Sequence, residues 1–299
     1  MTSDVDLFSG LVKTEALRIA PPGEVFWYTS GTVGPYYINT ERLFGGPHAA
    51  QALLTFIDEE AGKVDFATRL WKRIDRQLQA NVLFSAVIEA LAQRARECLG
   101  GEAIDAVSGG ERRDWFFSLG VAARLGKPHL FISKSGRCAR DDGAGMITLD
   151  NLSGQRFLHV ADLVTEASSY TQDWIPALRS RGGEMAVSVN VIDRAQGGIQ
   201  AIADAGVAAE ALMRVDEEMF AELQQRGLID AEQRQGLIAY FRDPQAAMKQ
   251  FLQDKPEFLR DALGSADERV SGRARKLMDG DLYGLSAACD IPPPDRWRI

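Results

Sequence analysis

The chain has 299 residues, of which 45% are hydrophobic and 25% are charged, and its formal net charge is -8 at pH 7. This balance is ordinary for a globular protein with one large core or two smaller ones, and it argues against disorder. The negative charge gives no general attraction to phosphate backbones, so nucleic acid is disfavoured as a partner, although a local basic loop can hold a small anion.

The cysteines and the N-terminus indicate where the protein works. Cys98, Cys138 and Cys289 lie far apart without CxxC or His-paired spacing, which disfavours a disulfide framework and a zinc site. Asp4 and Asp6 stand where a secretory signal carries positive charge, and no apolar run approaches the roughly 18 residues that cross a bilayer. We therefore expect a cytoplasmic protein with no membrane partner.

The N-terminal third begins with a predicted helix over residues 5–20, whose apolar positions have helical spacing. Next comes FWYTSGTVGPYYIN, residues 26–39, where aromatic and β-branched residues are interrupted by Ser-Gly and Gly-Pro. This pattern predicts two short strands joined by a turn. Residues 48–99 again have a helical pattern.

The middle of the chain, residues 104–193, alternates short apolar runs with helical segments. Such alternation with nearly continuous apolar strands predicts a parallel sheet covered on both faces. Ligands of such sheets bind beyond the carboxyl ends of the strands. We expect that edge to carry Ser-Gly-Gly at 108–110, the loop from Lys134, the segment from Asp162, and Asp193 with Arg194.

After residue 205 the strand signals stop, and residues 206–299 predict four short helices. Asp230 with Gln233 forms a predicted capping box, and Asp243 precedes a proline at the first position of a helix. The predicted domains are therefore residues 1–205, with a helical insertion around 58–100, and an all-α extension over 206–299.

The segment RFLHVADLVTEASSYTQDW, residues 156–174, is a hydrophobic strand followed by a small-residue loop and a helix. Backbone N–H groups and the helix dipole converge at such a loop and favour phosphate. A plain strand–loop–helix connection with serine caps is the simpler alternative. The segment resembles the phosphoribosyl-pyrophosphate loop of type I phosphoribosyltransferases, in which the strand leads into two acidic residues and a loop rich in Thr and Gly.

The resemblance assigns Asp162 to the second acidic position, while Ala161 occupies the first. In that family the acidic pair hydrogen-bonds the ribose hydroxyls, so the missing carboxyl weakens the sugar contact by ~1–2 kcal/mol. Glu166 and Ala167 occupy positions where the family prefers small residues and glycine. We therefore expect the loop either to bind a different anion or to bind phosphoribosyl pyrophosphate more weakly than standard members do. The implied phosphate-binding residues are Thr165, Glu166, Ala167, Ser168 and Ser169.

The N-terminal stretch FWYTSGTVGPYYIN looks like the hood of orotate phosphoribosyltransferases, in which an aromatic pair frames the base pocket. Tyr36 and Tyr37 match that pair, while Thr29 replaces a lysine of the family. An ordinary Gly-Pro-Tyr-Tyr turn is the alternative interpretation.

The segment FISKSGRCARDDGAGM, residues 131–146, is a strand followed by a polar loop that resembles the mobile catalytic loop of the same family. The basic residues of that loop close over pyrophosphate, often in the neighbouring subunit's site, which implies a homodimer. Lys134 is the matching residue and Arg137 a substitute for a second lysine. Lys, Arg and Mg²⁺ can neutralise a pyrophosphate leaving group, with Mg²⁺ held through the pyrophosphate rather than by protein ligands. A solvated loop is the alternative.

Arg194 follows the predicted strand in VNVIDRAQGG, residues 189–198. The corresponding arginine of orotate phosphoribosyltransferases grips the carboxylate of the base, which suits a planar bidentate guanidinium. A surface ion pair of Asp193 with Arg194 is the alternative.

VSGGERRDWFFS, residues 107–118, occupies the place of the pyrophosphate loop of the family, which normally has a lysine and a non-proline cis peptide. The resemblance implies that Gly109 and Gly110 permit close backbone approach and that Arg112 and Arg113 replace the lysine. Ordinary helix-start chemistry with Asp114 as N-cap is the alternative.

The resemblance covers roughly residues 7–200. It implies an enzyme that transfers a 5-phosphoribosyl group between pyrophosphate and orotate or a similar carboxylated base, with Mg²⁺, in pyrimidine nucleotide synthesis or salvage. One alternative is a non-catalytic binding or regulatory protein with a weakened phosphate or nucleotide site, and a third is an enzyme of altered specificity whose helical tail closes over the site. The non-catalytic alternative is supported by Thr29, Ala161, Glu166 and Ala167.

Overall fold

A computed structural model describes residues 6–285. Its internal contacts divide the chain into two compact units. The first contains the described residues up to Ala16 together with Asn39–Val215, and the second contains Leu17–Ile38 together with the described residues from Asp216 onward. The predictions for Cys289 and for Asp4 fall outside the described residues.

The helices and strands are named here in chain order. They are α1 (Leu7–Lys13), β1 (Leu17–Ile19), β2 (Phe26–Trp27), β3 (Val33–Gly34), β4 (Tyr36–Ile38), a 3-10 turn (Thr40–Phe44), α2 (Gly46–Glu60), α3 (Phe66–Ala80), α4 (Val82–Leu99), β5 (Ala106–Gly110), α5 (Asp114–Leu125), β6 (His129–Ile132), β7 (Cys138–Asp141), β8 (Met146–Thr148), β9 (Arg156–Val164), a π turn (Tyr170–Trp174), α6 (Ile175–Arg179), β10 (Glu184–Asp193), α7 (Gly198–Asp204), β11 (Ala208–Arg214), α8 (Glu217–Gln225), α9 (Ala231–Arg242), α10 (Pro244–Asp254), α11 (Pro256–Leu263) and α12 (Glu268–Asp279).

The first unit is built on a seven-stranded sheet with the order β11-β10-β9-β5-β6-β7-β8. The five strands from β11 to β6 are parallel to their neighbours, whereas β7 and β8 are antiparallel. Seven of the nine residues of β9 are buried, as expected for a strand that is covered on both faces. Helices flank the sheet, with α4 and α5 packed against its central strands. The predicted α/β fold with a parallel sheet is therefore confirmed.

Three strands lie where the sequence predicted none. In place of the polar loop predicted to follow the strand in residues 131–146, the chain forms the hairpin strands β7 and β8, which extend the sheet beyond β6. The segment predicted as all-helical from residue 206 begins with β11, which pairs in parallel with β10. Pairing with an existing strand edge supplies hydrogen bonds that the local sequence pattern does not reveal.

The second unit joins the strands of the N-terminal hood to the C-terminal helices. β1 pairs with β4 and β2 pairs with β3, both antiparallel. The indole of Trp27 stacks on Phe258 at 5.3 Å between ring centroids, and Tyr36 meets Tyr240 edge-on at 5.7 Å. The predicted domain boundary at residue 205 thus differs from the compact units in two respects: β11 belongs to the sheet, and the hood segment packs with the helices.

The predicted helix over residues 5–20 is too long. Helix α1 ends at Lys13, Glu15 has φ 57, and residues from Leu17 form β1. The pairing of β1 with β4 replaces the last helical turns.

The predicted helix starts in the second unit are confirmed. Asp230 and Gln233 form the capping box of α9, and the Asp243 side chain accepts the Ala246 N–H at the start of α10. Five helices, α8–α12, follow β11 within residues 6–285, rather than the four predicted. No helix in this part of the chain is both long enough and apolar enough to cross a membrane.

Candidate functional site

A cavity of about 640 Å³ opens at the carboxyl ends of β5 and β9 in the first unit. The chain leaves β5 for β6 on one side and later returns to β9 on the other, so the direction of winding reverses between these neighbours. Ligands of open α/β sheets bind in the crevice at such a switch point. Eight of the predicted site residues line the cavity: Arg112, Arg113, Lys134, Asp162, Thr165, Ala167, Ser168 and Ser169.

The other predicted site residues do not line this cavity. Within the first unit these are Gly109, Gly110, Arg137, Glu166 and Arg194. Tyr36 and Tyr37 belong to the second unit, where Tyr36 is buried and the Tyr37 hydroxyl donates a hydrogen bond to the carbonyl of Trp27 at 3.2 Å.

Gly109 and Gly110 end β5 and are packed against protein. A Cβ atom on Gly109 would lie 2.2 Å from the Ser118 hydroxyl, and one on Gly110 would lie 2.4 Å from the Trp174 ring. Close packing inside the unit therefore requires glycine at both positions. Just beyond β5, the peptide bond between Glu111 and Arg112 is cis, as the resemblance to the pyrophosphate loop led us to expect.

The two arginines after β5 each face a carboxylate. Arg112 forms an ion pair with Asp58 of α2, and the Arg113 guanidinium lies 3.7 Å from Glu41. Asp58 itself lines the cavity, and the Glu41 side chain is buried. A polyanion that binds at this wall would therefore have to displace Asp58 and Glu41 from the two guanidinium groups, or share those groups with them.

The loop after β9 carries the predicted phosphate-binding residues. Ala167 is buried and has φ 59, a left-handed conformation that favours glycine, and it occupies the place where the family prefers glycine. Ser168 and Ser169 are exposed and lead directly into the π turn, whereas Glu166 is exposed without lining the cavity. The backbone of this loop therefore has the shape expected at the glycine position although the side chain differs.

Asp162 and Asp114 form a buried carboxyl pair in the cavity wall. The Thr40 hydroxyl donates to Asp162 Oδ2 at 2.7 Å, and Asp114 accepts the N–H of Gly110 at 3.0 Å and the N–H of Asp162 at 2.9 Å. Burial raises the pKa of Asp114 well above the usual carboxyl range, and the charge of Asp162 raises it further. Burial also raises the pKa of Asp162, against the hydrogen bond from Thr40.

Lys134 lies in a tight turn between β6 and β7. Its backbone N–H donates to Glu111 Oε2 at 3.0 Å, and its side chain is exposed at the cavity. Arg137 closes the same turn, because its carbonyl accepts the Ser133 N–H at 3.0 Å. Of the two basic residues predicted here, only Lys134 therefore lines the cavity.

Arg194 follows β10, and its N–H donates to the carbonyl of Val164 at 2.9 Å. Its backbone therefore adjoins the end of β9. The carboxylate of Asp193 lies 3.7 Å from Arg214 and accepts the Ala195 N–H at 2.8 Å.

Two histidines are core residues. His159 is fully buried and its Nδ1 lies 3.0 Å from the Ser108 hydroxyl, while His129 Nε2 lies 2.8 Å from the Ser118 hydroxyl. Burial lowers the pKa of each imidazole to about 3. Both rings are therefore neutral near pH 7.

Sequence reasoning missed several residues around the site. Asp114 was considered only as a helix cap, and it is instead the first residue of α5, with its carboxyl group in the cavity wall. Thr40, Glu41 and Asp58 come from the 3-10 turn and α2, and no local motif marks them. Only the tertiary structure brings them to the ends of β5 and β9.

The described residues contain no group of three or more His, Cys, Asp or Glu side chains that could hold a metal ion. The cavity instead combines the cations of Arg112, Arg113 and Lys134 with four carboxyl groups, two of which are the buried pair of Asp114 and Asp162. This donor set fits a divalent ion that takes its ligands mainly from phosphate oxygens and water.

No protein-family model matches the chain. It is 29% identical over 124 residues to an orotate phosphoribosyltransferase from Methanoculleus marisnigri, covering 42% of this chain and 66% of that protein. It is 28% identical over 180 residues to an orotate phosphoribosyltransferase from Cereibacter sphaeroides, covering 59% of this chain and 60% of that protein. The chain thus spans slightly less than two thirds of the length of these relatives.

Among solved structures, the chain is similar to UMP synthase from Leishmania donovani, with a TM-score of 0.52 and 18% identity. The similarity covers 80% of this chain and 42% of that one. At this low sequence identity, the similarity supports a shared fold only. The predicted resemblance to orotate phosphoribosyltransferases and the type I phosphoribosyltransferase-like fold are therefore confirmed.

Proposed function

We propose that this chain is a phosphoribosyltransferase that transfers a 5-phosphoribosyl group between pyrophosphate and orotate or a similar carboxylated base. It would act with Mg²⁺, as a cytoplasmic homodimer, in pyrimidine nucleotide synthesis or salvage. The observation that carries the proposal is the cavity at the switch point between β5 and β9, which is lined by basic residues, a buried aspartate and the loop after β9.

The substrate has three parts, and the chain offers a separate group for each in this proposal. The loop from Thr165 to Ser169 binds the 5-phosphate through backbone N–H groups and hydroxyls. Asp162 accepts a ribose hydroxyl. Arg112 and Arg113 bind the pyrophosphate, for which planar guanidinium groups are well suited.

Departure of pyrophosphate from the anomeric carbon leaves positive charge on the ribose ring and adds negative charge to the leaving group. Lys134 stabilises that developing negative charge, because its exposed ammonium group stands at the rim of the cavity. Mg²⁺, when bound through the pyrophosphate, would supply further neutralisation of the same oxygens. Tyr36 and Tyr37 frame the base and Arg194 binds its carboxylate in this proposal, roles that rest on the resemblance.

The first experiment measures binding. Calorimetry of the full chain with phosphoribosyl pyrophosphate and Mg²⁺ should give millimolar or tighter binding, and Arg113→Ala should weaken it by about tenfold to a hundredfold, as expected for loss of a charged hydrogen bond. Lys127→Ala is the matched control, because Lys127 is an exposed cation near the opposite end of α5 and does not line the cavity. Absence of a binding signal for the wild type would refute the proposal.

The second experiment measures chemistry. Formation of orotidine monophosphate from orotate should be detectable in a coupled assay, and Lys134→Ala should lower kcat by about a hundredfold or more. Lys127→Ala should leave kcat unchanged. Turnover that is insensitive to Lys134→Ala would remove the assigned role of Lys134.

A second candidate function, a non-catalytic binding or regulatory protein, is favoured by Ala161. This residue lines the cavity with a methyl group where the family has a carboxyl group. Under this alternative, calorimetry would detect phosphoribosyl pyrophosphate or a nucleotide while no base would be converted. Binding without turnover over a panel of carboxylated bases would therefore support it, and turnover of any of them would exclude it.

A further inference from the structure

The ends of β5 and β9 separate at the cavity, and one side chain spans the gap. The two strands pair in register through Ser108 and His159, the last pair of their ladder. Beyond it, the N–H of Gly110 on β5 and the N–H of Asp162 on β9 are both accepted by the carboxyl group of Asp114. One oxygen serves each strand: Oδ2 accepts from Gly110 at 3.0 Å, and Oδ1 accepts from Asp162 at 2.9 Å.

The surroundings of this carboxyl group hold it in place. Asp114 is only 7% exposed, and a Cβ atom on Gly110 would lie 2.7 Å from its Oδ2, so there is no room for it to move toward β5. His159 Nε2 lies 3.9 Å from the same oxygen. Because burial keeps that imidazole neutral near pH 7, His159 forms no ion pair with the carboxyl group, whose hydrogen-bond partners are the two backbone N–H groups and the Asp162 side chain.

The segments that follow the two strands are those assigned to different parts of the ligand. Residues 111–113 continue from β5 and carry the arginines assigned to pyrophosphate, and residues 165–169 follow β9 and are assigned to the 5-phosphate. A link between the strand ends therefore sets the distance between two anion subsites.

The geometry points to Asp114 as a positioning residue that fixes the spacing between the pyrophosphate and 5-phosphate subsites by bridging the ends of β5 and β9. This inference rests on the proposed function and assigns Asp114 a role that does not require contact with substrate. A carboxyl group suits the task because each of its two oxygens can accept an N–H, and both keep a lone pair for this even when the group holds a proton. An asparagine amide offers one oxygen and turns an N–H₂ donor toward the second N–H, so Asp114→Asn breaks one of the two links.

The test compares a ligand that spans both subsites with ligands that occupy one. Calorimetry of the full chain would use phosphoribosyl pyrophosphate with Mg²⁺, ribose 5-phosphate alone, and pyrophosphate with Mg²⁺. For Asp114→Asn we expect affinity for phosphoribosyl pyrophosphate to fall by about tenfold, as expected for loss of one hydrogen bond, while the affinities for the two partial ligands stay within about twofold of wild type. A general structural defect would weaken all three ligands together and would overturn the inference.

Two further comparisons separate the remaining outcomes. If ribose 5-phosphate also binds more weakly and the added change Ala161→Asp restores its binding, Asp114 is a ribose ligand and the bridging role is wrong. Equal affinities of the wild type and Asp114→Asn for phosphoribosyl pyrophosphate would also refute the bridging role. Failure of the wild type to bind phosphoribosyl pyrophosphate at all would instead refute the proposed function.

Amide hydrogen exchange tests the bridge without any substitution. In the unaltered chain the N–H groups of Gly110 and Asp162 should exchange as slowly as those of the paired residues Val107 and Leu158, because Asp114 accepts both. Rapid exchange at either position would overturn the inference even if Asp114→Asn failed to fold.

Discussion

The substitution His129→Gln should change how the stability of the protein depends on pH. His129 is buried, its Nε2 lies 2.8 Å from the Ser118 hydroxyl, and burial lowers its pKa from 6.5 to about 3. The folded chain therefore keeps this imidazole neutral at pH values where the unfolded chain protonates it. A lowered folded-state pKa gives stability that is fully present above pH 6.5 and is lost as the pH falls toward 3.

The size of the effect follows from the two pKa values. Below pH 6.5 each pH unit costs about 1.4 kcal/mol of unfolding free energy per such group, so the wild type should lose about 2 kcal/mol through His129 between pH 7 and pH 5. Glutamine has no proton to gain and can still pair with Ser118. The destabilisation caused by His129→Gln should therefore be about 2 kcal/mol smaller at pH 5 than at pH 7.

The measurement is urea unfolding followed by circular dichroism at the two pH values. Ser118→Ala is the matched control: it removes the hydrogen-bond partner and should cost about 1–3 kcal/mol at both pH values while leaving the buried imidazole and its pH dependence in place. Other groups, including the carboxyl pair with raised pKa values, contribute equally to all three chains and cancel in the comparison. Equal losses in wild type and His129→Gln would show that His129 does not carry the linkage.

Further predictions concern packing and the second unit. Gly109→Ala should destabilise the chain by about 1–3 kcal/mol through overpacking against Ser118, whereas Gly272→Ala, in open space within α12, should stabilise it by about 0.5–1 kcal/mol through helix propensity; equal urea midpoints for the two variants would contradict this reasoning. Tyr283→Phe should cost about 1–3 kcal/mol, because the tyrosine hydroxyl accepts the buried N–H of Val33 at 3.0 Å; an unchanged midpoint would show that this hydrogen bond adds nothing.

Much of the sheet could be predicted from the sequence because its central strands carry the signal themselves. β9 and β10 are long, nearly continuous apolar runs, and such runs are typical of parallel strands buried on both faces. The capping box at Asp230 is equally local, since both partners lie within four residues. Predicting these strands also predicts where they end, so the edge of the sheet that carries Lys134 and Asp162 could be predicted as well.

The strands at the edges could not be predicted in the same way. β11 has the sequence AAEALMR, whose Ala, Glu, Leu and Met residues favour helices by intrinsic propensity. It becomes a strand because β10 offers an unpaired edge, and residues Val187 to Asp193 supply the ladder. β1 is a similar case, because its pairing with β4 depends on residues about twenty positions further along the chain.

The composition of the site was predicted only in part, because its buried contacts join distant segments. The Thr40 hydroxyl reaches Asp162 across 122 positions, and the Asp114 carboxyl reaches the Asp162 N–H across 48. No spacing rule connects such residues. Motifs could indicate Asp162 and the loop after it, but not that Asp114 would bridge the two strand ends.

The most direct test of the account is a crystal structure of the chain with phosphoribosyl pyrophosphate and Mg²⁺. Density for the ligand should fill the cavity between the ends of β5 and β9, with the 5-phosphate against residues 165–169 and the pyrophosphate beside Arg112 and Arg113. Ligand density elsewhere on the chain, with this cavity holding only solvent at saturating concentration, would contradict the account.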